Sequence, residues 1–427
     1  MQNTSRVLLV PLILAVLFLC TGSGLCGQSK SRQDKYKQGM TDLSGQKNIP
    51  SIYIAPDNSV KPRLPQWPEK LVSIYDTVSI VFIGDVMQHQ TQLNSALKSG
   101  CNPHDASSYD FSHAFKYIKE RIASADIAVA NMEFPVGLPP YSGYPVFSAP
   151  HSIVEEAAKS GINLFELANN HIADKGKRGI ERTLAVYDSL KVNYIGAHKD
   201  AADELMNNPN IIEANGLKLA FINFTYGTNG MPVAKPFVVN MMDSTAVKQA
   251  IARGKERGAD MIIALPHWGN EYELYPSAKQ KEWARMLFKN GVNVIVGSHS
   301  HVPQTAEIYM NDTPHPRKYG AVEKMVFYSM GNYISNQSIP DYTQLGMMVK
   351  VYIIKNNLSG EITLGMPEYE YMWCFKKNEF ETDYTVVPVN DIMKDPSLME
   401  KIKSSTQRER MENAFKLIMN KKLVREL

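Results

Sequence analysis

Short apolar runs that stop on polar residues constrain this chain more than any other feature. Ile-Val-Phe-Ile-Gly runs into Asp85, Ile-Ala-Val-Ala into Asn131 and Glu133, and Leu-Phe-Glu-Leu-Ala into Asn169, Asn170 and His171. Met-Ile-Ile-Ala-Leu-Pro runs into His267, Val-Asn-Val-Ile-Val-Gly-Ser into His299 and His301, and Val-Phe-Tyr-Ser-Met-Gly into Asn332. Strand patterns fall at residues 79–84, 127–131, 164–168, 192–195, 217–224, 261–266, 292–297 and 325–329. Amphipathic helical patterns lie among them, near 112–124, 152–160, 176–190, 244–257 and 277–290. Strands that alternate with helices predict an α/β fold with a buried, largely parallel sheet. Near-continuous apolar runs fit strands covered on both faces. Asn215-Gly216 reads as a hairpin turn into the strand that follows it.

In open α/β sheets, ligands bind beyond the carboxyl ends of the strands. Taken singly, each polar residue has an ordinary structural explanation. Asp85 after a glycine suits a helix N-cap or turn, Asn169-Asn170 suits a turn, and His267 before Trp268 suits a packed histidine. The pair His299-x-His301 is more informative, because two imidazoles at that spacing rarely serve packing alone. Together these residues form a mixed His, Asp, Asn and Glu set with no cysteine at a strand end. That composition argues for a hydrolytic metal site and against a structural zinc. A pair of divalent ions, bridged by one carboxylate, activates water and holds the charge that develops on a phosphoryl group.

The chain has 427 residues, room for one large domain or two modest ones. Its formal net charge of +3 gives no argument for nucleic acid as a partner. Residues 1–26 have the order of a secretory signal: Arg6, an apolar run from 7 to 20, then Thr21, Gly22, Ser23 and Gly24. The apolar run falls short of the about 20 residues a membrane span needs. The expectation is an exported protein of the cell envelope, periplasmic or at the surface, with a cleaved signal or an N-terminal anchor. Cys20 and Cys26 are candidate lipid attachment points, although Leu19 and Leu25 fit such a site poorly. Cys101 and Cys374 belong to the mature chain, where an oxidising compartment permits a disulfide that sequence alone does not establish. Residues 27–76 are polar and Pro-rich and read as a linker. Residues 77–338 hold every strand-end motif. The looser pattern of 339–427, with a strand near 347–355 and a charged helix over 406–427, reads as a C-terminal extension appended to that domain.

The motifs Gly-Asp-Val-Met (84–87), Asn-Met-Glu-Phe-Pro (131–135), Ala-Asn-Asn-His-Ile-Ala-Asp (168–174), Pro-His-Trp-Gly-Asn-Glu-Tyr-Glu (266–273), Gly-Ser-His-Ser-His-Val-Pro-Gln (297–304) and Tyr-Ser-Met-Gly-Asn-Tyr (328–333), in that order, resemble the CapA family. These are bacterial capsule or poly-γ-glutamate synthesis proteins, related to calcineurin-like metallophosphoesterases. The resemblance implies a four-layer α/β/β/α sandwich holding one or two divalent ions, with Mn, Zn or Fe expected. It implies Asp85, Glu133, Asn170, His267, His299 and His301 as metal ligands, with Glu133 in the bridging position. It implies His171 as the general acid or charge stabiliser. The expected substrate is a phosphoester or an anionic polymer intermediate, and the expected partners are other capsule-synthesis proteins at the membrane.

The chain departs from the phosphoesterase pattern at one ligand. Met87 stands where those enzymes carry an imidazole, and Gln88 and His89 are the nearest residues that could replace it. The sequence therefore supports two functions: a metal-dependent hydrolase, or a non-catalytic accessory protein that binds or helps export an anionic polymer. Specificity is expected from the loops at 135–150 and 226–236. Trp268, Tyr272 and Tyr275 form either an aromatic wall or ordinary packing.

Overall fold

A computed structural model describes residues 52–54, 60–62, 73–310 and 322–427. The expected signal or anchor and nearly all of the expected linker lie outside the described residues. The chain divides into two units, residues 1–72 and 73–427. In the first, β1 (Ile52–Ile54) pairs antiparallel with β2 (Val60–Pro62). The second carries every candidate site residue.

In the second unit, β3 (Tyr75–Val86), β4 (Ile127–Met132), β5 (Leu164–Glu166) and β6 (Asn193–Ile195) pair in parallel, each beside the next. A short ribbon follows, β7 (Ala197–His198) against β10 (Val238–Val239). The hairpin of β8 (Asn210–Ala214) and β9 (Leu217–Thr225) turns on Asn215 and Gly216, whose φ values of 45° and 74° suit the left-handed turn that Asn-Gly favours. A second parallel set runs β9, β11 (Met261–His267), β12 (Val294–Val296) and β14 (Val322–Phe327), with β13 (Ala306–Met310) antiparallel to β14.

Alternate side chains of these strands face different seams. Val78, Ile80 and Phe82 of β3 meet Met261, Ile263 and Leu265 of β11 in one core between the two sets. Val81 and Ile83 face the other way, onto Ile153 and Val154 of helix Ser152–Lys159 and Ile180 and Leu184 of helix Gly176–Leu190. Ile262 and Ala264 of β11 pack on Val247 and Ile251 of helix Ser244–Glu256 and Leu287 of helix Ala278–Lys289. The order is helix, sheet, sheet, helix, a four-layer α/β/β/α sandwich. Both helices of the second outer layer begin on side-chain caps: Asp243 accepts from Thr245 and Ala246, and Ser277 forms a capping box with Gln280.

Three details differ from the sequence expectation. The pattern near 112–124 is two short helices, Ser112–Phe115 and Lys119–Ala123, parted at Ile118, whose φ of −123° is not helical. The sheet is less parallel than expected, and the cause lies in residues 339–427. β15 (Asn332–Ile334) lies parallel to β3, but β16 (Leu345–Asn356) runs antiparallel along the same side of β3, opposite β4, and β17 (Ile362–Leu364) joins β16 to β14. β18 (Glu368–Phe375) and β19 (Thr385–Pro388) continue from β16. The charged helix ends at Lys421, where Lys422 takes a left-handed φ of 47°, and β20 (Val424–Glu426) then pairs with β13. Residues 339–427 are therefore woven into both sheets and not appended to them.

Phe82 is fully buried in the seam between the sheets. Phe82→Ala is expected to lower unfolding free energy by about 3–5 kcal/mol, read from the denaturation midpoint. An unchanged midpoint would mean the two sheets do not close-pack.

Candidate metal centre

The carboxyl ends of both sheets meet at one place. β3 delivers Asp85, the residues after β4 deliver Glu133, and those after β5 deliver Asn170 and His171. β11 ends on His267, and the turn after β12 carries His299 and His301. All seven are buried. Glu133 is central: its Oε1 lies 3.7 Å from His267 Nε2 and 3.8 Å from His301 Nε2. Two groups of potential ligand atoms, each within 4.8 Å of one another, share it: Asp85, Glu133 and His267 form one, and Glu133, His299 and His301 the other.

The donor set fits divalent ions. Among the described residues, neither carboxylate oxygen of Glu133 has a hydrogen-bond partner, and neither does His299 Nδ1. A buried charge without partners is strongly unfavourable, so these atoms call for a cation or a proton. One carboxylate common to two ligand groups is the arrangement a bridged pair of ions requires.

The surrounding polar residues hold the ligands in place. Asn131 Nδ2 donates to Asp85 Oδ1 at 2.8 Å, and Asn169 Nδ2 donates to Asn131 Oδ1 at 3.2 Å. Ser298 Oγ lies 2.8 Å from His267 Nδ1, which leaves His267 Nε2 beside Asn170 Oδ1, also at 2.8 Å. Asn332 Oδ1 lies 3.0 Å from His301 Nδ1, and Asn332 Nδ2 donates to Thr343 O at 3.0 Å. The turn carrying Thr343 is gripped by Arg410 of the C-terminal helix, which donates to Asp341 Oδ1 at 2.8 Å and Gln344 Oε1 at 2.7 Å. His299 and His301 have φ values of 94° and 60°, a region that residues other than glycine rarely occupy. Such strain concentrates at functional sites.

His171 is held differently. Its Nδ1 lies 2.8 Å from Asp174 Oδ2, an oxygen that also accepts from Phe147 N at 2.8 Å. The Phe147 ring meets the imidazole edge-on at 4.6 Å. Asp174 thus fixes the orientation of the ring through Nδ1. Sequence reasoning missed Asp174, although its spacing three residues after His171 was readable. It also gave Asn332 and Ser298 no supporting role.

Met87 is buried in the apolar core and accepts a contact from Ser335 Oγ at 3.6 Å. His89 belongs to neither metal-capable group, whereas Gln88 is wholly buried and its side-chain amide has no hydrogen-bond partner among the described residues. His89 caps the next helix, its Nδ1 lies 3.1 Å from Gln92 Oε1, and burial lowers its pKa to about 4. Trp268 is a packing residue, buried with Nε1 donating to Tyr328 O, whereas Tyr272 and Tyr275 are exposed. Tyr226, in one of the expected specificity loops, has its ring centroid 4.5 Å from that of His299. Cys101 is exposed, Cys374 is buried, and both are free thiols.

Burial pushes Glu133 well above the usual carboxylate range and pushes His267 well below the usual imidazole range. Burial and the neighbouring imidazoles of His301 and His171 bring His299 down to about 3. Burial also acts to lower His301, but the charge of Glu133 and the hydrogen bond His301 donates to Asp85 outweigh it and raise His301 to about 9. His301 is thereby favoured in its protonated form against Glu133, and an ion bound through His301 would have to displace that proton.

The profile of the family described as "Bacterial capsule synthesis protein PGA_cap" matches residues 79–337. The chain belongs to this family. All six motifs, from Gly84 to Tyr333, fall inside the PGA_cap span. The chain is 27% identical over 273 residues to "Capsule biosynthesis protein CapA" of Bacillus anthracis, covering 61% of each chain. It is 25% identical over 299 residues to "PGA biosynthesis protein CapA" of Bacillus subtilis (strain 168), covering 66% of this chain and 69% of that one. Among solved structures it is similar to a phosphatase from Mycoplasma pneumoniae (TM-score 0.41, 14% identity, covering 70% of this chain and 94% of that one). It is also similar to the NAD nucleotidase of Haemophilus influenzae (TM-score 0.40, 14% identity, 81% and 61%).

Two outcomes are expected of the PGA_cap centre. Asn332→Ala frees His301 Nδ1 and lowers metal affinity about 10–100-fold in a direct titration, with the fold retained. Metal affinity also rises with pH from neutrality towards about 9, because His301 must lose its proton to become a ligand. Calorimetry in buffers of different ionisation enthalpy reads that proton release. Pocket affinity independent of pH would exclude His301 as a ligand.

Proposed function

We propose that this protein is a metal-dependent hydrolase of the cell envelope, acting on a phosphoester or an anionic polymer intermediate in capsule or poly-γ-glutamate biosynthesis. One observation carries the reading: the unpartnered, buried Glu133 is shared by two ligand groups, in the same site as a His–Asp pair. Family membership supports the biosynthetic setting, and the signal-like residues 1–26 support export.

Asp85, Glu133, Asn170, His267, His299 and His301 would hold the ions, with Mn²⁺, Zn²⁺ or Fe²⁺ suited to a set that mixes imidazole with carboxylate. Divalent ions bound there supply Lewis acidity and positive charge to a phosphoryl group. The chain's own residues do the rest. His171 Nε2 gives a proton to the leaving oxygen, and Asp174 holds the ring in the required tautomer and balances its positive charge.

A second reading has its own observation. Met87 removes an imidazole that phosphoesterases use, which suits a non-catalytic accessory protein binding an anionic polymer. A relative from Mycobacterium tuberculosis is named "Probable polyglutamine synthesis accessory protein".

Hydrolysis of generic phosphoesters by the mature chain with Mn²⁺, Zn²⁺ or Fe²⁺ separates the two. His171→Ala is expected to lower kcat by about 10²–10⁴ while bound metal is retained. Asp85→Asn is expected to lose both activity and metal. Equal background rates in wild type and both variants would end the hydrolase reading. Polymer binding that survives a chelator, without turnover, would favour the accessory role.

A further inference from the structure

Tyr272 lies at the surface beside the metal centre. It is 37% exposed, its ring centroid is 6.2 Å from that of His301, and its backbone N donates to Ser300 O at 2.8 Å, between the two histidines of the turn. Its φ of 66° is one that a tyrosine rarely adopts. Its hydroxyl accepts a hydrogen bond from Gln337 Nε2 at 3.3 Å. Gln337 Oε1 in turn accepts from Asn332 Nδ2 at 2.8 Å, and Asn332 Oδ1 lies 3.0 Å from His301 Nδ1. Side chains thus run without a gap from the surface to a candidate metal ligand.

The direction of each bond follows from chemistry. Thr343 O can only accept, so the amide nitrogen of Asn332 faces it and Asn332 Oδ1 faces His301. Asp85 Oδ2, 3.4 Å from His301 Nδ1, is also an acceptor. Nδ1 must therefore carry a proton, which leaves Nε2, 3.8 Å from Glu133 Oε1, as the atom for an ion. Asn332 Nδ2 likewise demands the oxygen of Gln337, so the Gln337 amide nitrogen is the donor to Tyr272. Burial, with the charge and hydrogen bond of Glu271, pushes the Tyr272 phenol up to about 12, so it keeps its proton and offers Gln337 a lone pair. Every donor points outwards from His301, and hydrogen bonds aligned in this way polarise one another. Ser335 Oγ accepts from Gln337 N at 3.1 Å, which holds the middle of the relay in place.

We propose that Tyr272 and Gln337 are positioning residues of the ion centre, acting through Asn332 to hold His301 with Nδ1 protonated and Nε2 presented to the ion. This rests on the ion centre of the hydrolase reading and deepens it. It also decides what Tyr272 is for: the site uses its hydroxyl, where an aromatic wall or ordinary packing would use its ring. Metal-ligating histidines are usually anchored directly by a carboxylate, a carbonyl or water. Here the anchor is a chain of neutral groups whose outer end is at the surface, so the hold on His301 can be altered three side chains away.

Direct titration of Mn²⁺ into the full-length chain and its variants tests this without requiring turnover. Gln337→Leu removes the link at nearly constant size and is expected to weaken Mn²⁺ binding about 10-fold; Tyr272→Phe keeps the ring and is expected to weaken it about 3-fold. Gln337→Glu keeps an acceptor for Asn332 and is expected to stay within about 2-fold of the wild type. In a Gln337→Leu background, Tyr272→Phe is expected to change nothing further, because the relay is already cut. Both residues are partly exposed, so these changes are expected to leave the thermal midpoint in place. Unchanged affinity in Gln337→Leu or Tyr272→Phe, an equal loss in Gln337→Glu, a Tyr272→Phe effect that persists beside Gln337→Leu, or a loss that tracks a falling midpoint would each overturn the inference and leave the ion centre standing. A wild type that binds no Mn²⁺ would end the ion centre and the inference together.

Discussion

The structure depends on a carboxylate placed where water cannot reach it. Glu133 is wholly buried, and neither oxygen is hydrogen-bonded. A carboxylate in that position is tolerated only if it is neutralised by a proton or a cation. Two chemical states are therefore open to the centre, one with a proton on the Glu133–His301 pair and one in which bound ions would replace it. Everything around Glu133 serves to keep His267, His301 and Asp85 at a fixed distance from it. The left-handed backbone at His299 and His301 costs on the order of 1–3 kcal/mol each, and the surrounding hydrogen bonds must offset it.

Much of this was legible in the chain, and the limits of legibility are physical. The ligands were visible because buried parallel strands read as unbroken apolar runs, so a polar residue at the end of one stands out. The same property hid the second sheet. In Ile80-Val81-Phe82-Ile83 every position is apolar, so nothing marks Ile80 and Phe82 as facing the inter-sheet seam and Val81 and Ile83 as facing helices. The two-sheet architecture came from the family resemblance, not from periodicity. β16 was visible as a strand, but its place beside β3 was not, because the pairing of Val349 with Phe82 spans most of the domain and leaves no local trace.

The supporting shell was harder to read than the ligands, and residues 339–427 show why. That segment has no strand-end motif, so it looked like an extension. Its contribution is a relay with one backbone link: Arg410 fixes the turn at 341–344 through side chains, Thr343 O takes the amide of Asn332, and Asn332 orients His301. Any of several side chains could supply such contacts, so residue type alone does not announce them. Asp174 is the exception, since a carboxylate three residues beyond a strand-end histidine is itself a signal.

Met87 clarifies what kind of centre this is. Met87 itself is absorbed into the core, with Ser335 against its sulfur. What remains is unequal. One group, Asp85, Glu133 and His267 with Asn170 alongside, is rich in oxygen. The other, Glu133, His299 and His301, has two imidazoles to one carboxylate. Oxygen donors suit harder ions and imidazoles suit borderline ones such as zinc and iron. The two groups meet at Glu133, and His301 Nδ1, 3.4 Å from Asp85 Oδ2, links them a second time, so no ligand of one can move without disturbing the other.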